Sequence, residues 1–411
     1  MIDAQSILVL ISMTILLGYI GNYFYSKTKI PDLVWLLGFG ILLGPVTNLY
    51  NPDLFMKISN ILSVVALCVI LFEAGLSLDL DMVYRSLPKT LLLLVLTFSL
   101  TVTAVGFFLN FFMPNDFTLL QGLLLGTMIG GTSTVTTLSI LKVVEKITDI
   151  SDAKTILVLE SVLTDPICIV SAITIIQMIM VPRTSPIEGL QDIFVSFCVS
   201  AVIGVISGLV WGVILNKLKS RPSKYMITLA ALFLTYLISE AVGGHGSGPM
   251  AALLFGLALA NTDLLMKGFE SGPVFVVETV EIKFFHEEVT FFIKSFFFVY
   301  IGLIVTVTVN YLIVGLIITA ICLILRYFAA TIAGFIGKFS ENEKTLTRFI
   351  FAHGLPALIM SQLPLIYDPQ GQFFLSPQAY TNLCFITVLG TVLYGAVLGP
   401  LLVKRKLEAP F

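Results

Sequence analysis

Charged side chains are scarce in this sequence of 411 residues. Asp, Glu, Lys and Arg make up 12% of the chain, whereas 57% of the residues are hydrophobic. The mean hydropathy is +1.01. Soluble domains carry roughly 25% charged residues, so this composition excludes a large soluble protein. It predicts a polytopic membrane protein of the all-α class.

The sequence also lacks motifs that are typical of metal sites and of enzymes. The five cysteines stand singly in apolar segments, without the spacing of metal ligands, so we expect them to be packing residues. The sequence contains no nucleotide-binding glycine motif, no ATP-binding loop, no Gly-x-Ser-x-Gly and no His-Glu-x-x-His. We therefore expect neither an enzyme nor a cofactor. Any transport by this chain would draw its energy from an ion gradient.

The long apolar runs predict thirteen membrane-spanning helices, since a span needs about 20 apolar residues. The predicted spans cover residues 6–26, 31–50, 57–79, 88–113, 118–141, 153–180, 190–216, 223–242, 248–262, 286–308, 310–338, 345–367 and 378–403. The whole chain, 1–411, then forms a single membrane transporter domain.

The basic residues predict the orientation. Of the 23 Lys and Arg residues, nineteen fall in loops on one side of these spans, and Lys57 and Arg183 fall on the other; Lys294 and Arg326 lie within spans. Cytoplasmic loops carry the excess of positive charge. The sequence therefore predicts a multi-pass protein of the cell membrane, with its N-terminus outside and its C-terminus in the cytoplasm.

The sixth span contains two carboxylates, Glu160 and Asp165, with apolar residues on both sides. An ionised side chain at this depth costs about 2.5–3.5 kcal/mol on insertion scales, so buried acids usually have a function. Ser161 lies one turn before Asp165 on the same helix face, and Pro166 removes a backbone hydrogen bond beside it. A carboxylate, a hydroxyl and a freed carbonyl suit a hard cation such as sodium. We expect a cation or proton site at Asp165.

Two spans are interrupted by glycine and polar residues. The first interruption lies within Gly126–Thr137 and the second within Ala352–Ala357. Broken helices at matching positions of two repeats indicate the binding site of a secondary transporter. We therefore predict two discontinuous helices in two inverted repeats, residues 1–180 (helices 1–6) and residues 223–403 (helices 8–13), joined by a linking helix at 190–216.

Two basic residues within spans need acidic partners. Arginine does not release its proton, which suits a fixed pair, so we predict that Arg326 pairs with Glu160 and leaves Asp165 free. Lys294 can lose its proton when desolvated, and it either joins the proton chemistry or forms a structural pair. Glu73, in the third span, either completes the cation site or pairs with Lys294.

These segments together resemble the monovalent cation/proton antiporter superfamily, in particular its archaeal and bacterial sodium/proton exchanger branch. The resemblance covers nearly the whole chain and rests on residues 72–79, Glu160–Asp165, residues 286–303, Arg326 and residues 354–357. It implies a mobile core domain, a dimerisation domain and a homodimer in the lipid membrane. No nucleic acid is expected as a partner.

The resemblance also implies roles for individual residues. Asp165 and Ser161 correspond to the family's ion-binding aspartate and its neighbouring serine, Glu160 and Arg326 to its buried ion pair, Glu73 to a glutamate that shares the site, and Thr132 to a threonine that offers its carbonyl. The chain departs from the family at Thr164, where asparagine is usual, and at Ser133, where an aspartate is frequent. Both residues still offer oxygen ligands.

We therefore interpret the chain as a secondary antiporter that exchanges Na⁺, or else Li⁺ or K⁺, for H⁺ by competition at Asp165. With one aspartate in place of the two that the resemblance associates with electrogenic exchange, we expect electroneutral exchange. The alternatives are a cation channel lined by the same acids, a potassium/proton antiporter, and a non-transporting subunit of the same fold. Flux measurements across pH distinguish them.

Overall fold

The computed structural model describes residues 4–28, 30–47, 53–78, 80–146, 148, 150–180, 186–217, 224–244, 247–266, 279–306, 308–368 and 370–408. Residues 48–50, 79, 223 and 307 of the predicted spans lie outside the described residues. All regular secondary structure in the described part of the chain is helical.

The helices are numbered α1 to α18 in chain order. They are α1 Ala4–Thr28, α2 Asp32–Ile41, α3 Asp53–Leu76, α4 Leu80–Phe112, α5 Leu119–Met128, α6 Thr134–Val144, α7 Ser151–Met180, α8 Pro186–Lys217, α9 Lys224–Gly243, α10 Ser247–Ala260, α11 Thr262–Met266, α12 Thr279–Ile304, α13 Val309–Ile336, α14 Glu341–Phe349, α15 Leu355–Met360, α16 Leu363–Tyr367, α17 Pro377–Leu393 and α18 Gly399–Glu408. A π-helical turn extends α2 through Leu42–Val46, and another, Tyr394–Leu398, joins α17 to α18.

The prediction of thirteen membrane segments is confirmed, and the chain is a multi-pass membrane protein. The fifth span consists of α5 and α6, and the twelfth of α14, α15 and α16. Six helices of the described chain are long and apolar enough to cross a membrane, and five further apolar helices are shorter. Helix α4 begins at Leu80, eight residues before the predicted start of the span, because its more polar first turns are also helical. Pro88 lies inside the helix and does not end it.

The chain divides into two compact units made of interleaved stretches. The first unit comprises Met1–Leu62, Ser86–Cys168 and Phe292–Phe411, and the second comprises Ser63–Arg85 and Ile169–Phe291. The division into inverted repeats at 1–180 and 223–403 follows different boundaries and stays a prediction.

Aromatic and aliphatic side chains form the core of the second unit, between α3, α9 and α10. Phe72 of α3 meets Phe255 of α10 with ring centroids 5.6 Å apart, and Leu232 of α9 belongs to the same cluster. Asn261 follows α10, donates to the carbonyl of Leu78 over 2.9 Å and accepts from the amide of Leu80 over 3.1 Å. It therefore fixes the connection from α3 to α4.

Helices α2 and α12 of the first unit cross at two glycines, Gly40 and Gly302. A Cβ atom on Gly40 would lie 2.3 Å from the carbonyl oxygen of Val299 and 2.7 Å from the Cα of Gly302. Since those contacts are backbone atoms that cannot turn aside, only glycine permits this approach. Small residues at such crossings let helices pack closely within membranes.

Candidate ion-binding site

Helix α7 carries both carboxylates that the sequence singled out. It runs without interruption through Pro166, from Ser151 to Met180. Glu160 is fully buried and Asp165 is 6% exposed. Five residues of an α-helix correspond to about 500°, so the two acids point in directions that differ by roughly 140°. The same helix therefore places them in two different environments.

Glu160 forms a bidentate ion pair with Arg326 of α13. Nη2 of Arg326 lies 2.9 Å from Oε2 of Glu160, and Nη1 contacts Oε1. The guanidinium also donates from Nε to the carbonyl of Thr347 over 2.7 Å and from Nη1 to Oγ1 of Thr97 over 3.3 Å. The ring of Phe351 lies 5.4 Å from Cζ. The pair thus links α7 and α13 with α4 and α14.

This arrangement makes the Glu160–Arg326 pair a fixed part of the first unit. Both side chains are buried, and the carboxylate binds two guanidinium nitrogens at once, the geometry of strong charge-assisted hydrogen bonds. The two residues that the sequence analysis paired are in contact.

The first helix break lies between α5 and α6 and contacts α7. The amide of Thr132 donates to Oγ1 of Thr164 over 3.3 Å, and Oγ1 of Thr132 lies 2.8 Å from Oγ of Ser161. Ser161 itself donates to the carbonyl of Leu157 over 2.9 Å. Since one hydroxyl has one proton, the Thr132 hydroxyl is the donor to Ser161. The oxygen lone pairs of Thr132 remain available to a cation.

The second helix break lies between α14 and α15 and crosses the first. The amide of Ser133 donates to the carbonyl of Ala352 over 2.9 Å, and Nδ1 of His353 lies 2.7 Å from the carbonyl oxygen of Gly131. Gly354 has φ −148° and ψ −159°, and a Cβ atom there would lie 2.3 Å from Oγ of Ser133. The extended stretches approach this closely because position 354 has no side chain.

Asp165 has no fixed partner within the first unit. Among the described residues of that unit, no hydrogen bond or ion pair reaches its carboxylate. Ser161, with its contact to Thr132, lies one turn before it on the same helix face. A buried carboxylate without a partner is too costly as a free anion. The site therefore favours a proton or a cation on Asp165.

The polar side chains of Thr164 and Ser133 make hydrogen bonds beside the break. Thr164 accepts from Thr132 and donates to the carbonyl of Ser161 over 3.0 Å. Oγ of Ser133 caps α6, where it accepts from the amide of Thr136 over 3.3 Å and from its hydroxyl over 3.1 Å. Both residues thus hold the break in place. Their roles as cation ligands stay predictions.

Lys294 and Glu73 belong to different units. Lys294 of α12 is half-buried and acts electrostatically on the carboxylate of Asp32, at the start of α2 in the same unit. Glu73 of α3 is half-buried in the second unit, where its charge acts on Tyr225. Its proposed share in the cation site, and its pairing with Lys294, stay predictions.

Sequence reasoning missed three partners of the charged residues. Thr97 and Thr347 hold Arg326, yet a threonine in an apolar helix or beside a turn carries no distinguishing signal. Asp32 lies within electrostatic range of Lys294, and its position next to Pro31 resembles that of an ordinary helix-end residue. In the described part of the chain, no three His, Cys, Asp or Glu side chains gather to hold a metal ion.

Comparison with known proteins connects this geometry to one family. The family model described as "Sodium/hydrogen exchanger, transmembrane" matches residues 12–404. The Na⁺/H⁺ antiporter 1 of Methanocaldococcus jannaschii is 23% identical over 342 residues, which cover 81% of this chain and 77% of that protein. The K⁺/H⁺ antiporter NhaP2 of Shewanella baltica is 26% identical over 401 residues, which cover 94% of this chain and 64% of that protein.

The fold is also that of a solved antiporter structure. The sodium/proton antiporter MjNhaP1 of Methanocaldococcus jannaschii, in a structure at pH 8, superposes with a TM-score of 0.83 at 20% identity. The match covers 99% of this chain and 100% of that one.

Proposed function

Because the chain belongs to the sodium/hydrogen exchanger family, which comprises secondary transporters and not enzymes, we propose that it exchanges Na⁺ for H⁺ across its membrane at Asp165. The resemblance drawn from the sequence is confirmed at the level of the family. The observation that carries the proposal is the buried Asp165 carboxylate without a partner among the described residues of its unit, on the helix that contacts the first break through Ser161 and Thr132.

The proposed mechanism is competition between two cations for one carboxylate. Protonated Asp165 is neutral, and so is Asp165 with a bound Na⁺ that also takes oxygens from Ser161 and Thr132. Either form can pass an apolar barrier when one part of the protein moves against another. The bare anion passes only at high cost. One Na⁺ therefore crosses for one H⁺, and the exchange is electroneutral.

The other charged residues support this centre. Glu160 and Arg326 hold α7 against α13 and thereby fix the direction of Asp165. Ser133 and Thr164 shape the break and stand at the edge of the cation site. Lys294 acts electrostatically on Asp32, and we assign it a part in proton transfer.

Selectivity, assembly and orientation complete the proposal. Sodium is the preferred ion, as in the name of the M. jannaschii relative. Because the S. baltica relative is named for K⁺, potassium is the ion whose transport should be compared with that of sodium. The protein is a homodimer in the cell membrane, with its N-terminus outside and its C-terminus in the cytoplasm, where the positive charges of its loops lie.

Reconstituted vesicles test the proposal. The purified protein is placed in proteoliposomes with a pH dye inside, a Na⁺ gradient is imposed, and proton movement is followed. We expect wild-type flux, and no flux from Asp165→Asn. Asp152→Asn is the matched control, since Asp152 is an exposed acid in the first turn of the same helix. Full flux from Asp165→Asn contradicts the assignment, and currents without coupled proton flux indicate a channel. Repeating the assay with Li⁺ and K⁺ measures selectivity.

A further inference from the structure

His353 lies at the crossing of the two helix breaks and is fully buried. Its ring nitrogen Nδ1 is 2.7 Å from the carbonyl oxygen of Gly131. Its backbone amide donates to Oγ1 of Thr391 over 3.2 Å, and its ring packs edge-on against Phe351 with centroids 4.8 Å apart. Nothing in the exchange mechanism above uses this side chain.

The contact to Gly131 fixes the tautomer of the ring. A carbonyl oxygen only accepts, so Nδ1 carries the proton. In the neutral ring, Nε2 is then an acceptor, and it is buried without a partner among the described residues. Helix α6 begins three residues beyond Gly131, and the partial positive charge of a helix N-terminus disfavours a second proton nearby. His353 is therefore a neutral donor with one fixed direction.

Gly131 and Thr132 share one planar peptide unit. Its oxygen receives the hydrogen bond from His353, and its N–H donates to Oγ1 of Thr164 over 3.3 Å. Because the peptide bond is rigid, these two bonds hold opposite ends of a single plane. The Thr132 side chain, which contacts Ser161 over 2.8 Å, begins directly after that plane.

We propose that His353 is a positioning residue that sets the orientation of the Gly131–Thr132 peptide and thereby the affinity of the cation site. The proposal rests on the proposed function, because it requires a cation that binds beside Thr132 and Asp165. Without the Nδ1 donor, the peptide turns about its remaining bond to Thr164. The oxygens of Thr132 then no longer converge with Ser161, so cation binding weakens while the proton-carrying carboxylate is unchanged.

Three substitutions of His353 separate the two ring nitrogens. In His353→Asn the side-chain amide takes the place of Nδ1 and keeps a donor toward Gly131. In His353→Gln the amide takes the place of Nε2, and in His353→Ala both positions are lost. Thr391→Val is the matched control, since it removes the other hydrogen bond of residue 353 and leaves the ring contact in place.

The measurement is Na⁺-dependent proton flux in proteoliposomes, with KM for Na⁺ and maximal rate determined separately. We expect His353→Ala and His353→Gln to raise KM about tenfold at a similar maximal rate, the factor that corresponds to about one hydrogen bond. We expect His353→Asn and Thr391→Val to keep KM within about twofold, and the pH profile of all four, measured at saturating Na⁺, to match the wild type. The rise in Tm on adding Na⁺ in detergent should rank the variants in the same order.

Several results would overturn the proposal. A wild-type KM in His353→Ala, an Asn variant as weak as the Ala variant, or a pH profile that moves in His353→Asn each contradicts a neutral Nδ1 donor. If His353→Ala fails to fold, the comparison of Asn with Gln carries the test. Loss of the proposed function has a different signature, because the wild type itself would then show no Na⁺-dependent proton flux.

Discussion

Removal of the Glu160 charge tests the buried ion pair most directly. In Glu160→Gln the guanidinium of Arg326 keeps its bonds to Thr347 and Thr97 but loses its counter-charge. Both members of the pair are fully buried, so water cannot replace the lost carboxylate. Breaking a buried pair by removing one partner costs about 3–5 kcal/mol.

That free energy corresponds to a measurable change in thermal stability. The entropy of unfolding is about 2.1 cal/mol/K per residue, so this chain of 411 residues loses about 3–6 °C in Tm for a loss of about 3–5 kcal/mol. The assay is thermal unfolding of the purified protein in detergent, followed by fluorescence. Glu341→Gln is the matched control, because Glu341 is an exposed acid paired with Lys344 on α14, and it should leave Tm unchanged.

A double variant separates the pair from the individual residues. Glu160→Leu combined with Arg326→Met replaces both charges by apolar side chains, and such replacements are often neutral for stability. We expect the double variant to recover most of the Tm that Glu160→Gln loses. A wild-type Tm in Glu160→Gln, or a double variant no more stable than the single one, would refute a desolvated ion pair at this position.

Two further predictions concern the crossing of α2 with α12 and the loop between α16 and α17. Gly40→Ala should lower Tm by several degrees, because its Cβ meets backbone atoms of α12 at 2.3 Å, whereas Gly38→Ala on the same helix, with nothing within 4 Å, should leave Tm unchanged or raise it. Asp368 lies between α16 and α17. Burial raises the pKa of its carboxyl, but hydrogen bonds from backbone N–H groups, led by Phe373, lower it by more, so the pKa is below its ordinary 3.8. Its contribution to stability is therefore full above pH 3.8 and is lost as pH falls below it through the folded pKa, so Asp368→Asn should show a smaller loss of Tm on acidification in that range.

The parts of the fold that sequence predicted depend on local signals. Apolar runs, most of them about 20 residues long, located the thirteen segments. The glycines and hydroxyls that interrupt the run at 126–137 located the first break, because broken helices at membrane depth line a cavity or are buried in protein. The contact of Glu160 with Arg326 was predictable for a similar reason. Among few charges within spans, each must find an opposite one.

The parts that sequence did not predict depend on the path of the chain through space. The hydrogen bond from His353 to Gly131 joins residues 222 positions apart, and it exists because the two breaks cross. A histidine within a predicted break signals a polar environment but not its partner. The boundaries of the two compact units were equally inaccessible, since one boundary falls inside α7 between Cys168 and Ile169, where the helix itself shows no change.

The contrast between the two acids of α7 follows from their partners and not from their own chemistry. Glu160 points toward a guanidinium that contacts both of its carboxylate oxygens. Asp165, five residues later, points away from that charge and has no partner among the described residues of its unit. Burial alone would make both acids costly. We infer from this contrast that Glu160 is structural, whereas Asp165 takes its neutralising charge from solution, as the proposed exchange requires.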